Sequence, residues 1–307
     1  MRRFERITKA VEPVEEYRRG GYHPVHLHDS FGQNYEVVGK LAYGQSSTVW
    51  LAKDKTMMIS DLQEMIVTWT PRQAGYVETM SHQILLGLDF LHRSDIAHCD
   101  LQPGNMLVAV TDSINDTEAF LEPPQFSPVR WLEGVTKDGS APEYLMPSQR
   151  RYNQLKEVQH FSLVVKIGDL GGAQFRTQCN ERPVTPLSLR APETINGSPW
   201  DWTIDIWALG CLIFEIATNE PLFPLCTFGI RREEVNKEHL ELIEERLSDS
   251  TGQAGFAAYL AERLPDNFGA ENVQHMAKFL LLMLRVNREE RWCTKDLLQD
   301  AFAVNEH

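Results

Sequence analysis

The sequence predicts an α+β chain in which a short β-rich section is followed by a mostly helical remainder. Three observations carry this expectation. Tyr35 to Lys53 reads Y-E-V-V-G-K-L, A-Y-G-Q-S-S, T-V-W-L-A-K. Two β-prone runs flank a small polar turn at Gly44, which is a hairpin signal. Next, Val77, Met80, Ile84, Leu88 and Leu91 recur every three or four positions, predicting a helix over 73–92 with one buried face. Finally, 203–218 is apolar nearly all round, the pattern of a buried helix, and helical patterning continues over 229–302.

The other segments fall around these. Residues 1–34 are polar, with Gly20-Gly21, Pro24 and several His, and predict an extended leader that crosses a surface. One domain is expected over 35–302, with a small β section at 35–60 and a helical section at 61–302. Within it, 109–160 is rich in Pro, Ser, Glu and Gln and has little periodicity. It is expected to be an insertion loop, and such length is usually functional or disordered. Val164 to Ile167 reads as a short strand leading into D-L-G-G. Residues 303–307 form a tail. The sequence shows no internal repeat.

Composition narrows the function classes. Of the 307 residues, 42% are hydrophobic and 24% charged, which is ordinary globular usage. Wholesale disorder, collagen and coiled coil are excluded. There are 43 acids against 30 bases, a formal charge of −13. That balance argues against direct nucleic-acid binding through phosphate neutralisation. It suits a basic partner, because a negative surface concentrates cations. The cysteines at 99, 179, 211, 226 and 293 show no metal-ligand or disulfide-framework spacing. M-R-R-F-E-R-I-T-K-A-V-E has no run apolar enough for a signal peptide. The longest apolar stretch, Ile204 to Ala217, is broken by Asp205 and Glu215 and is too short to span a bilayer. The expectation is a soluble chain of a reducing compartment with no membrane association.

Chemistry concentrates in H-C-D-L-Q-P-G-N, residues 98–105. Asp100 can accept a proton from a hydroxyl nucleophile, and the Asn105 carbonyl can ligate a hard cation. Alone, this pair reads more readily as an Asp and Asn in a polar turn. Lys166-Ile167-Gly168-Asp169-Leu170-Gly171 then sets a carboxylate just after a strand and before a glycine turn, a placement suited to Mg2+. Arg190-Ala191-Pro192-Glu193 follows, then the apolar helix with Asp205, and late in the chain Arg291.

This ordered set resembles the eukaryotic protein kinases, whose signature runs Gly-rich loop, H-R-D-x-x-x-x-N, D-F-G, A-P-E. The resemblance covers about Tyr35 to Phe302. G-G-Y-H-P-V, K-L-A-Y-G-Q-S-S-T-V-W-L-A-K-D and D-L-G are similar to the SR-protein kinases, and L-Q-P-G-N is similar to a fungal branch of them. The fold implied is α+β and protein-kinase-like, a mostly helical C-lobe with a reduced β N-lobe. The activity implied is transfer of the ATP γ-phosphate to Ser or Thr of Arg/Ser-rich, splicing-factor-like proteins, with ATP and Mg2+ as cofactors. The resemblance also implies a monomer of cytoplasm and nucleus. Asp100 would orient and deprotonate the hydroxyl, with Gln102 beside it in the catalytic loop. Asn105 and Asp169 would hold Mg2+. Leu41, Ala42 and Gly44 would lie over the phosphates, and Val49 would pack on adenine. Glu193 would pair with Arg291, and Asp205 would anchor the catalytic loop.

The sequence departs from the family in five ways. The V-A-I-K lysine is absent, since only Lys53 and Lys55 lie between Trp50 and Asn105. Strand 3, the Glu-bearing helix and strands 4 and 5 are missing. Gln102 stands where the catalytic-loop lysine belongs, removing a cation from the transferring phosphoryl group. Ala42 and Ser47 stand for the first and third loop glycines. Cys99 replaces the arginine that receives an activation-loop phosphate, so activity should not need that phosphorylation. The alternatives to an active kinase are an impaired pseudokinase or binding protein, or a truncated gene model or splice form of an active kinase. A further alternative has Lys53 substitute for the lost lysine.

Other features carry plainer expectations. Arg231 to Ser250 is acidic with Leu240, Ile243 and Leu247 on one face. It reads first as an ordinary solvated amphipathic helix; the resemblance to SR-protein kinases would make it an acidic docking groove for an Arg-rich substrate. His23, His26 and His28 read as a surface turn in preference to a metal site. Trp200, Trp202 and Trp207 read as packing. Thr185 receives no role.

Overall fold

Alternation in Tyr35–Tyr43 and Thr48–Asp54 does form the expected hairpin. The computed structural model describes residues 2–7, 11–31, 35–44, 47–54, 58–61, 72–110, 123–149, 163–178, 183–247, 252–300 and 302–303. In chain order the strands are β1 (Ser30–Phe31), β2 (Tyr35–Tyr43), β3 (Thr48–Asp54), β4 (Met58–Asp61), β5 (Ile96–Ala97), β6 (Met106–Val110), β7 (Ser127–Pro128), β8 (Tyr144–Leu145), β9 (Leu163–Ile167) and β10 (Gln174–Phe175). The helices are α1 (Ala74–Arg93), α2 (Pro192–Asn196), α3 (Thr203–Thr218), α4 (Arg232–Leu247), α5 (Gly252–Ala261), α6 (Ala270–Met283) and α7 (Thr294–Leu297). Residues 55–57 and 62–71, on which the expectation of a missing Glu-bearing helix falls, lie outside the described residues. The chain divides into two units: Met1–Ser60 with Ala109–Val158, and Asp61–Val108 with Gln159–His307.

The first unit is built on a three-stranded antiparallel sheet in the order β1-β2-β3. Tyr35 faces Asp54 and Tyr43 faces Thr48, with register shifts between Val37 and Gly39 and between Lys40 and Ala42. Two strands alone would be marginal, and the third comes from the leader. The leader does more than cross a surface. Tyr17, Tyr22 and Leu145 form a buried cluster flanked by Ile7, Val11, Val14, Val129 and Ala141. Phe4 is fully buried, its ring 4.5 Å from that of Trp131. The described part of the insertion is likewise structured, since β7 and β8 pair antiparallel. The physical reason is aromatic burial: each such ring hides on the order of 150–250 Å² without needing helical or strand periodicity.

The second unit is helical. On α1 the buried residues include Val77, Met80, Ile84, Leu88 and Leu91, the face its periodicity predicts. Buried residues occupy nearly the whole of α3, which therefore forms the unit's centre. Gly210 on α3 lets α6 approach, because a Cβ there would sit 2.9 Å from Leu284 Cγ and Cδ2. Trp207 is fully buried and stacks with Phe223 at 5.9 Å. Trp202 meets His92 edge-on at 5.0 Å. On α4 the buried face is Val235, His239 and Ile243, one turn earlier than the expected Leu240–Leu247 stripe and with a histidine in it.

Candidate active site

In the second unit the polar loop 98–105 is suspended from α3 by one carboxylate. Asp205, 1% exposed, accepts the backbone N–H of His98 at 2.7 Å and of Cys99 at 2.8 Å. Its Oδ2 also lies 3.0 Å from His92 Nε2. These bonds hold Cys99 at φ +64°, a left-handed backbone that non-glycine residues adopt rarely. His98 then ties the loop to the strand end after β9. Its Nδ1 accepts the Asp100 N–H at 3.2 Å, which leaves Nε2–H to donate to the Gly168 carbonyl at 2.9 Å. A second tie runs from the Gly168 N–H to the Asn105 carbonyl at 2.7 Å.

These ties gather the expected residues Asp100, Gln102, Asn105 and Asp169. Asn105 Nδ2 donates to the Asp100 carbonyl at 2.8 Å and to Asp100 Oδ2 at 3.0 Å. Gln102 Nε2 donates to Asp100 Oδ1 at 2.9 Å. Both carboxylate oxygens are thus held by amides. Burial pushes the Asp100 carboxyl above the usual aspartate range, and the charge of Asp169 pushes the same way. The bonds from Asn105 and Gln102 and the nearby His98 pull it back. Asp169 is exposed, sits at φ +54°, and accepts the Gly171 N–H on Oδ1 at 3.1 Å. That leaves Oδ2 for a cation.

The oxygen donors fit Mg2+. This ion prefers hard oxygens and commonly takes one or two carboxylates plus phosphates. Among the described residues there is no cluster of three or more His, Cys, Asp or Glu that could hold a metal unaided, and a Mg2+ shared with phosphates needs none. His26 and His28 are engaged separately: His26 Nε2 accepts the Glu143 N–H at 2.9 Å, and His28 Nδ1 meets Glu36 Oε1 at 2.7 Å.

Two further groups brace the site. Glu193 and Arg291 form a buried bidentate pair at 2.6 and 2.7 Å, and Arg291 also donates to the Arg285 and Thr203 carbonyls. Sequence reasoning missed Thr185. Its hydroxyl, buried, donates to the Cys99 carbonyl at 2.8 Å, so the segment before α2 is pinned to the polar loop. The signal was its place six residues before Ala191.

The glycine turn belongs to the first unit. Ala42 and Val49 are cross-strand partners, Leu41 and Ala42 are half-buried, and Gly44 and Val49 are exposed. The side chain of Lys53 and the whole of Lys55 lie outside the described residues, and so does Cys179.

A model of the protein kinase domain matches residues 142–303, just over half of the chain. That span holds Asp169, Glu193, Asp205 and Arg291, while Asp100 and Asn105 precede it. The serine/threonine-protein kinase SRPK of Physarum polycephalum is 27% identical over 393 aligned residues, covering 96% of this chain and 91% of its own length. Because the alignment is longer than the 307 residues here, the relative carries positions with no counterpart in this chain. Protein kinase dsk1 of Schizosaccharomyces pombe is 21% identical over 97% of this chain and 79% of its own. The serine/threonine-protein kinase AFC1 of Arabidopsis thaliana is 27% identical over 56% of this chain and 30% of its own. A crystal structure of a kinase domain aligns with a TM-score of 0.54 at 16% identity, over 91% of this chain and 99% of that one. At that identity it speaks for the fold alone.

Proposed function

The chain belongs to the protein kinase family, and from that premise we propose that it transfers the γ-phosphate of ATP to serine or threonine hydroxyls of basic, Arg/Ser-rich proteins. The observation that carries the proposal is the tie between Asn105 and Gly168 at 2.7 Å. It brings the Asp100 carboxylate, the Asn105 amide and the Asp169 carboxylate into one oxygen-rich site. Such transfer depends on positioning and on charge neutralisation more than on covalent chemistry. Asp100 orients and receives the proton of the substrate hydroxyl. Asn105 and Asp169 hold Mg2+, which when bound neutralises the ATP phosphates. By resemblance to the family, Leu41, Ala42 and Gly44 would be the residues over the phosphates and Val49 the one against adenine. Gln102 supplies a neutral donor where the family supplies a cation, so turnover is slow. The acidic balance of the chain supports a basic substrate. The names of the Physarum and Arabidopsis relatives support the Ser/Thr reading. We further propose a monomer of cytoplasm and nucleus.

The test is Mg2+-dependent phosphate transfer from ATP to an Arg/Ser-repeat peptide by the full chain. Transfer abolished by Asp100→Asn supports the reading. A wild-type chain that binds no nucleotide overturns it.

A further inference from the structure

The leader carries a feature that phosphate transfer does not use. Glu12 and Lys40 are both buried, at 2% and 0% exposure, and form an ion pair. Glu12 Oε1 also accepts the Tyr17 hydroxyl at 2.7 Å. Lys40 lies on β2 just before the glycine turn, with the Trp50 ring 5.4 Å and the Tyr43 ring 5.9 Å from Nζ. Its backbone is held as well: Gln149 Oε1 accepts its N–H at 3.2 Å, and its carbonyl accepts the Gln149 N–H at 2.6 Å. The second hold is at the tip of the turn. Tyr22 is 5% exposed, packs edge-on against Tyr17 at 5.5 Å, and donates its hydroxyl to the Gly44 carbonyl. Gly44 in turn donates its N–H to the Ser47 carbonyl at 2.9 Å.

We propose that residues 12–22 are a strap that sets the glycine turn, with Glu12–Lys40 as its anchor and Tyr22 as the positioning residue. The two contacts act at different points. The ion pair fixes the strand leading into the turn, and the Tyr22 hydroxyl fixes a carbonyl at the turn itself. A turn whose backbone must meet phosphate gains from being held before the ligand arrives, since less ordering remains to be done on binding. The last step rests on the nucleotide-binding reading above, whereas the strap itself does not.

The test uses the full chain and Tyr22→Phe, which keeps the ring and deletes the hydroxyl. Hydrogen exchange is followed in peptides covering 41–49 and 203–218. Loss of one neutral hydrogen bond predicts roughly two- to tenfold faster exchange in 41–49, with 203–218 unchanged. Tyr144→Phe is the control. It deletes the hydroxyl that accepts the Leu27 N–H at 2.9 Å and should leave 41–49 unchanged. Unaltered exchange at 41–49 in Tyr22→Phe overturns the proposal. So does an equal rise over the whole of 1–60, which marks a merely structural hydroxyl. A parallel Mg·ATP titration separates the two readings. Weaker binding by the variant, by a similar factor, supports the positioning role, and equal affinity overturns that role. A wild-type chain that binds no nucleotide refutes the proposed function, and the exchange result still decides the strap.

Discussion

Gln102 donates its side-chain amide to Asp100 Oδ1 at 2.9 Å, so the residue standing where the family has a lysine is directed at the carboxylate. A neutral amide offsets charge building on a transferring phosphoryl group less than a lysine cation does, and this amide is directed at Asp100. Removing one preorganised donor typically costs on the order of 10²–10³ in rate. Gln102→Lys should therefore raise kcat toward an Arg/Ser peptide by roughly 10- to 100-fold, with little change in unfolding free energy. A kcat that does not rise would remove the electrostatic basis of the proposed slow turnover.

The same substitution carries a pH signature. Burial raises the Asp100 carboxyl, and the base must be ionised to work. Activity should fall on acidification through that raised value. A cation at 102 favours the charged carboxylate, so the acid limb of kcat should move to lower pH in Gln102→Lys. A limb that stays or moves up assigns the titration to another group.

His239 gives a stability signature. Burial, reinforced by the charge of Arg190, pushes its imidazole down to about 4 from the ordinary 6.5. The unfolded chain then binds the extra proton between those values. Stability from this site is present above about 6.5 and is lost as pH falls toward 4, by up to about 3 kcal/mol. His239→Phe, which keeps a ring against Phe223, should flatten that part of the urea-midpoint profile. An unchanged acid slope would locate the lost stability elsewhere.

Arg291 is more demanding. Arg291→Met leaves Glu193 buried without its cation, which costs about 3–5 kcal/mol. Lys cannot reproduce two parallel bonds, so Arg291→Lys should recover less than half. Chemical denaturation of both variants checks this, and equal stability of Lys and Arg would show the fork to be unnecessary.

The Glu12–Lys40 pair should show coupling. Glu12→Leu or Lys40→Met alone should destabilise by about 3–5 kcal/mol, and the two together by markedly less than their sum. Additive losses in the cycle would mean that the two charges do not depend on each other.

The helices were legible because α1 buries a face that repeats with the helical turn, and because α3 is apolar nearly all round and buried along nearly its whole length. The polar loop and D-L-G were legible because their residue types and spacing are local. The leader was not. Phe4, Tyr17 and Tyr22 are buried singly in irregular backbone, so no period marks them. Thr185 and His239 escaped for a related reason: their partners, Cys99 and Phe223, are distant in sequence. Gln102 was read as a lost cation, whereas its bond to Asp100 could be seen only once the loop was folded.

The most direct test of the account is isothermal titration of the full chain with Mg·ATP, alongside Asp169→Asn. The account predicts saturable binding that needs Mg2+ and weakens at least tenfold in the variant, since one of its two proposed ligands loses its charge. No binding by the wild-type chain, or equal binding by Asp169→Asn, would contradict it.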